Sequence, residues 1–186
     1  LFVVTFHPVT LNADRGVLAT GELIKALGGF PDAAILLTGV NSDPGNASIY
    51  KMLSEFVSAS RRQRVLVQSL SQQRYLSAMK CADAVIGNSS SGLIEAPALG
   101  TPTVNIGDRQ EGRLRSPSVI DCEASADDIT AAIERALDPA FRASFAGQTP
   151  AYGRGGGTAA KIASVLKSAD LEQLSVKHFR DIILAH

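Results

Sequence analysis

The chain has 186 residues, 45% hydrophobic, 19% charged and 5% aromatic, with 18 lysines and arginines against 18 aspartates and glutamates. That length suits one domain with a sizeable core, and the even charge balance removes the electrostatic ground for a nucleic-acid or anionic-membrane partner. The longest uninterrupted apolar run, residues 33–37, is far short of the ~20 needed to cross a bilayer; with no signal-peptide pattern and only Cys81 and Cys122, a reducing, cytoplasmic setting is expected.

In chain order, the first apolar run is LFVVTF at residues 1–6, which starts without Met and inside a strand pattern, as a piece of a longer protein would. A helical pattern follows at 18–27 and stops at Gly28. AAILLT (33–38) reads as the second strand, with a helix at 47–60 behind it. RRQR (61–64) reads as a solvated helix end and RVLVQ (64–68) as the third strand. Ser71 is placed as the N-cap of a helix at 72–79. DAVIG (83–87) is a fourth strand before a short helix at 92–99 that ends at Gly100. PTVNI (102–106) is a fifth, with SVIDC (118–122) as a sixth candidate. Ser125 caps a helix at 126–137, and Asp138-Pro139 stops it. The linker-like stretch 147–157, with GRGGG at its end, leads to helices at 158–168 and 171–185.

Short Val-, Ile- and Leu-rich runs alternating with helix-length segments are the pattern of parallel strands buried on both faces. The expectation is an α/β, Rossmann-like doubly wound parallel sheet over residues 1–170, with 171–186 as a terminal helix.

Ligands of such sheets bind beyond the carboxyl ends of the strands, and those positions are polar here. They hold His7 and Pro8, Gly39 and Asn41, then GNSSSG (87–92) and GDRQEGR (107–113). In the third of these, Ser89, Ser90 and Ser91 sit where a strand ends and Gly92 opens a helix. Free N–H groups and the helix dipole there attract phosphate, and the hydroxyls add donors. Glu95, one turn in, is placed to accept hydrogen bonds from ribose hydroxyls. A plainer reading stands beside this one: the serines cap the helix and Glu95 complements its dipole.

In the next loop, Arg109 and Arg113 are suited to clamp a diphosphate through charge-assisted bonds, or the loop is simply solvated. His7, held extended by Pro8, offers a group that titrates near neutral pH. His178 shares a helix face with Leu171, Leu174 and Ile182 and reads as packing. No nucleophile elbow, dinucleotide fingerprint or P-loop is complete. No zinc or calcium spacing occurs, so neither a metal nor a cofactor is expected.

Together, FHPVT (6–10), GNSSSGLIEAPALGTPTVNIGDRQEGR (87–113) and AYGRGGGTAAKI (151–162) resemble the UDP-N-acetylglucosamine 2-epimerase family over nearly the whole chain. The HPVT form is more similar to the hydrolysing branch that feeds sialic-acid-type sugar synthesis. The resemblance implies the C-terminal half of a two-domain, GT-B-type fold. Of the nucleotide, Ser89 and Ser90 would hold phosphate, Glu95 the ribose and Arg109 the diphosphate, with Asn41 and His7 lining the cleft. Ser91, Gly92 and Arg113 are further candidates, and His7 is the candidate catalytic residue.

The implied reaction eliminates UDP from UDP-N-acetylglucosamine and adds water to the glycal to release N-acetylmannosamine. The proton-transfer carboxylates belong to the family's other domain, so this chain alone is expected to bind UDP with little or no turnover. A homodimer or tetramer is implied for the full-length protein. Arg154 stands where the family often carries an acidic residue, which brings in a related diacetamido sugar nucleotide. A glycosyltransferase donor-binding domain and a non-catalytic sugar-nucleotide module are the alternatives.

Overall fold

The computed structural model describes residues 1–8, 13–39, 46–60, 63–153 and 155–169, and for residues 13–15 the backbone. Among these residues six strands form one sheet: β1 (Phe2–Thr5), β2 (Ile35–Thr38), β3 (Arg64–Val67), β4 (Ala84–Gly87), β5 (Thr103–Ile106) and β6 (Val119–Cys122). Their order is β3-β2-β1-β4-β5-β6, and every pairing is parallel. Phe2 is in register with both Ile35 of β2 and Ala84 of β4, so β1 and β4 are neighbours at the sheet centre. The chain winds outward from β1 one way and then from β4 the other way, which makes the gap between them the switch point.

Among the described residues, six helices accompany the sheet: α1 (Ala13–Gly28), α2 (Asn46–Ser58), α3 (Gln72–Cys81), α4 (Ser91–Leu99), α5 (Ala126–Leu137) and α6 (Pro139–Phe145). Successive residues of a strand face opposite sides, and the core divides accordingly. Phe2, Val4, Ile35, Leu37, Ile86 and Val104 pack with Leu23 and Leu27 of α1, Ile49 and Leu53 of α2, and Ile129 and Ile133 of α5. Val3 and Val85 point the other way, onto Met79 of α3 and Ala96 of α4. Burying each of these large apolar side chains contributes about 1.5–3 kcal/mol, and the sheet is covered on both faces as expected.

The second face changes character along the strands. Val3 and Leu36 are apolar, but two residues on, Thr5 and Thr38 carry hydroxyls at the carboxyl ends of β1 and β2. The sheet thus becomes polar on the α3/α4 side where a ligand would sit.

Two local expectations are corrected. Asp138-Pro139 does not merely stop α5; it also starts α6, with the Asp138 carboxylate accepting from Ala140 N at 2.9 Å and Pro139 in the first turn. Arg64 is no solvated helix end, since α2 stops at Ser58 and Arg64 opens β3. Its guanidinium lies 3.8 Å from the Phe56 ring centroid and donates to Phe56 O at 3.1 Å. Arg61 and Arg62 lie outside the described residues.

Residues Leu1–Arg154 form one compact unit and Gly155–His186 another. The second contains α7 (Thr158–Ser168), whose Ile162, Val165 and Leu166 are exposed. The helix expected at 171–185, His178 included, lies outside the described residues.

Candidate functional site

The central crossing of β1 and β4 can be built only with glycine at one position. Gly87 has φ 136°, and a Cβ there would lie 2.0 Å from Thr5 O. The strand ends therefore approach backbone to backbone, and the residue after Gly87 turns directly onto the loop that follows β1. That residue, Asn88, is fully buried. Its Oδ1 accepts from His7 N at 2.7 Å and its Nδ2 donates to His7 O at 2.9 Å, so one amide side chain satisfies both main-chain groups of His7. The Asn88 carbonyl accepts from Arg109 Nη1 at 3.0 Å and from Gln110 Nε2 at 2.7 Å. Asn88 thus ties His7 and Arg109 to the end of β4. The sequence reading passed over it in favour of the neighbouring hydroxyls.

Beyond Asn88, Ser89 and Ser90 are half-buried, and α4 starts at Ser91. Ser90 takes helical φ/ψ, and its side chain makes no capping bond. Capping therefore does not explain it. Ser89 Oγ receives a long bond from Ser91 N, 3.4 Å, and a shorter one from Ser91 Oγ, 3.0 Å. Among the described residues, no main-chain acceptor takes the N–H of Ser89 or Ser90. Uncommitted amides beside hydroxyls at a helix start form an anion-receptive surface.

Gly92 lets α4 close onto β5, since a Cβ there would lie 2.7 Å from Thr103 Cγ2. Thr103 Oγ1 donates to Gly92 O at 2.7 Å and pins that approach. One turn on, the half-buried Glu95 keeps Oε2 shielded from solvent with no partner among the described residues. A shielded carboxylate oxygen left unpaired is unfavourable by about 1–3 kcal/mol or more, and a ligand hydroxyl would satisfy it. Gln110 Oε1 shows the same lack.

Of the sequence candidates, His7, Ser89, Ser90, Ser91, Gly92 and Arg109 gather at this one end of β1 and β4, with Glu95 a turn away on α4. Arg113 lies exposed further along the β5 loop, and no described hydrogen bond joins its side chain to β4 or α4. Asn41 lies outside the described residues, as does Arg154. Sequence inspection also missed Tyr75 and Thr38, which reach the serines only through the fold; no local signal marks either.

A cleft of about 1040 Å³ adjoins the site, walled by Phe6, Asn88, Gly107 and Asp108 and running toward Glu22 of α1 and Arg135 of α5. The serines are not among its walls. Because the polar groups converge on the α4 side, we place the anion-receptive surface there and regard the cleft as its flank. Cys122 lines that flank. Burial, then the Asp128, Asp121 and Glu123 carboxylates, push its thiol up to about 12, so it stays protonated near neutral pH and is no nucleophile. Among the described residues, no group of His, Cys, Asp and Glu is arranged to hold a metal, and no helix is long and apolar enough to cross a membrane.

The chain matches the family model described as UDP-N-acetylglucosamine 2-epimerase over residues 1–167. It is 35% identical over 182 residues to the Campylobacter jejuni GDP/UDP-N,N'-diacetylbacillosamine 2-epimerase (hydrolyzing), covering 98% of this chain and 47% of that protein. It is 37% identical over 141 residues to the Escherichia coli polysialic acid biosynthesis protein P7, covering 75% and 36%. The chain therefore spans less than half the length of these relatives. Among solved structures, it superposes with TM-score 0.70 on a Neisseria meningitidis UDP-GlcNAc 2-epimerase bound to UDP-GlcNAc, at 16% identity, over 89% of this chain and 44% of that one. The S. aureus MnaA–UDP structure gives the same TM-score and coverage at 15% identity. The fold is that of the C-terminal-like half of these GT-B-like structures.

Proposed function

The chain belongs to the UDP-N-acetylglucosamine 2-epimerase family, and from that premise we propose that it is the UDP-binding half of a hydrolysing 2-epimerase acting on UDP-N-acetylglucosamine. The observation that carries this reading is the convergence at the β1/β4 switch. His7, the serines and Arg109 meet there, with Asn88 fixing two of them. The hydrolysing branch is supported by the FHPVT segment and by the Campylobacter relative.

In this reading the nucleotide diphosphate lies against Ser89, Ser90 and the start of α4. Arg109 offers its remaining donors to the diphosphate, and Glu95 Oε2 accepts from a ribose hydroxyl. Elimination removes the proton from sugar C2 and breaks the bond between C1 and the departing diphosphate oxygen, giving UDP and a glycal. Water then adds its hydroxyl at C1 and a proton at C2 on the opposite face, which releases N-acetylmannosamine. The leaving group carries the charge that develops in the first step, and preorganised donors stabilise it there more than in the ground state. His7, at the same strand end, is the proton-transfer or phosphate-contacting group supplied by this chain.

A second reading of the sugar has its own support. The relatives from Campylobacter jejuni and Legionella pneumophila are named diacetylbacillosamine 2-epimerases, so a UDP-diacetamido sugar is the alternative substrate. The full-length protein is proposed to be a cytoplasmic homo-oligomer.

Calorimetric titration of UDP into this chain tests the reading, with adenosine diphosphate as competitor. Saturable binding is expected to prefer UDP and to weaken about tenfold or more in Arg109→Ala. Little or no epimerisation is expected from these 186 residues alone. Equal affinity for both nucleotides, or an unaffected Arg109→Ala variant, would count against the site.

A further inference from the structure

Five hydroxyls form a continuous chain from the sheet to the candidate anion site. Thr38 Oγ1 lies 2.8 Å from Thr5 Oγ1, which lies 3.0 Å from Tyr75 Oη. Tyr75 Oη lies 2.8 Å from Ser91 Oγ, and Ser91 Oγ donates to Ser89 Oγ at 3.0 Å. We propose that Tyr75 is a positioning residue that commits the Ser89 hydroxyl to act as a donor toward a bound anion. This rests on the reading above, that a diphosphate lies at the start of α4.

The argument is one of proton counting. A hydroxyl carries a single proton. Ser91 has given its own to Ser89, so the contact with Tyr75 requires Tyr75 to donate to Ser91. The Tyr75 proton is then committed, and Thr5 must donate to Tyr75. Thr38 must in turn donate to Thr5. Every proton therefore points the same way, from β2 across β1 and α3 to the loop before α4, and aligned hydroxyl chains polarise one another in that direction.

Ser89 Oγ stands at the end of the chain. It accepts from Ser91 Oγ and, at longer range, from Ser91 N, which uses its acceptor capacity and leaves its own proton directed away from both. Such a hydroxyl suits an acceptor-only phosphate oxygen. Without the Tyr75 hydroxyl, Ser91 would be released to turn and accept from Ser89, and the committed donor would be lost. The Tyr75 ring packs at the edge of the α3/α4 core, so a phenylalanine would keep that packing and remove only the polar link.

The test uses the whole chain with two probes, UDP and inorganic pyrophosphate, titrated into wild type, Tyr75→Phe, Ser89→Ala and the double variant, each with its unfolding midpoint. Ser89→Ala and Tyr75→Phe are each expected to weaken both probes about five- to tenfold. The double variant is expected to be no weaker than Ser89→Ala alone, because Tyr75 acts only through Ser89. A merely structural tyrosine would instead give losses that multiply. Ser91→Ala cuts the same chain one link later and serves if Tyr75→Phe fails to fold.

Multiplicative losses, or unchanged affinity in folded Tyr75→Phe (in Ser91→Ala, should Tyr75→Phe not fold), would overturn the relay while leaving UDP binding intact. Pyrophosphate binding without UDP binding would overturn the nucleotide reading alone, and the pyrophosphate cycle would still decide the relay. Binding of neither probe to wild type would overturn both.

Discussion

Asn88 shows how one residue can fasten the parts of a candidate site to a single strand end. Its amide matches the N–H and C=O of His7 in a two-bond pair, and its own carbonyl draws in Arg109 and Gln110. Asn88→Ala would remove both Asn88 bonds to the main chain of half-buried His7 and the buried amide itself. The expected loss is about 2–4 kcal/mol in a urea unfolding titration, together with weakened UDP binding, since two site residues lose their anchor. Asn88→Asp keeps an acceptor for His7 N but no donor for His7 O, so it should recover only part of the loss. The sequence directs attention to Ser89 and Ser90 because hydroxyls at a helix start carry a recognisable signal. Asn88 carries none, since its partners are main-chain groups 81 positions away in sequence.

At the level of elements, α4 is set by its contact with β5. Gly92 and Thr103 meet where no Cβ fits, with Thr103 Cγ2 in the way and Thr103 Oγ1 bonded to Gly92 O. Gly92→Ala should therefore cost about 1–3 kcal/mol by overpacking and displace the first turn of α4, which Ser89 and Ser90 lead into. Adding Thr103→Ser removes the obstructing methyl and keeps the hydroxyl, so the double variant should regain most of that stability; a chemical denaturation series on the two single variants and the pair checks it.

The same scale explains where the sequence reading of elements succeeded and failed. All six strands are legible, because runs such as Phe2–Thr5 and Ala84–Gly87 are apolar on both faces and bounded by polar turns. The helix at Ala126–Leu137 is legible from its period and its Ser125 cap, which accepts from Asp128 N at 3.2 Å. Helix α6 is not, because Asp-Pro ends one helix and begins the next with the same two residues.

For the molecule as a whole, long-range bonds join elements that no local pattern pairs. Glu22 of α1 accepts from Ala126 N at 2.8 Å, so α5 is capped at its start by a side chain 104 residues earlier as well as by Ser125. Every buried apolar residue described lies within the first compact unit, from Phe2 to Pro150, and α7 buries none. A chain ending after residue 154 is accordingly expected to unfold in one transition, since it holds the described core in one compact unit. Differential scanning calorimetry of that chain checks this, and a broad or split transition would contradict it.

The alternation of apolar runs and helical periods by itself determined the parallel, doubly wound sheet, because burial on both faces leaves an unmistakable composition. The motifs at 6–10 and 87–113 determined the family and pointed to the ends of β1 and β4. Only the tertiary structure decided that Asn88 fastens His7 and Arg109 to one strand end. It also decided that Tyr75 links threonines of β1 and β2 to Ser91 of α4 and Ser89 before it. These contacts join residues from Thr5 to Gln110 that share no local period, and a hydrogen bond depends on position in space rather than on separation along the chain.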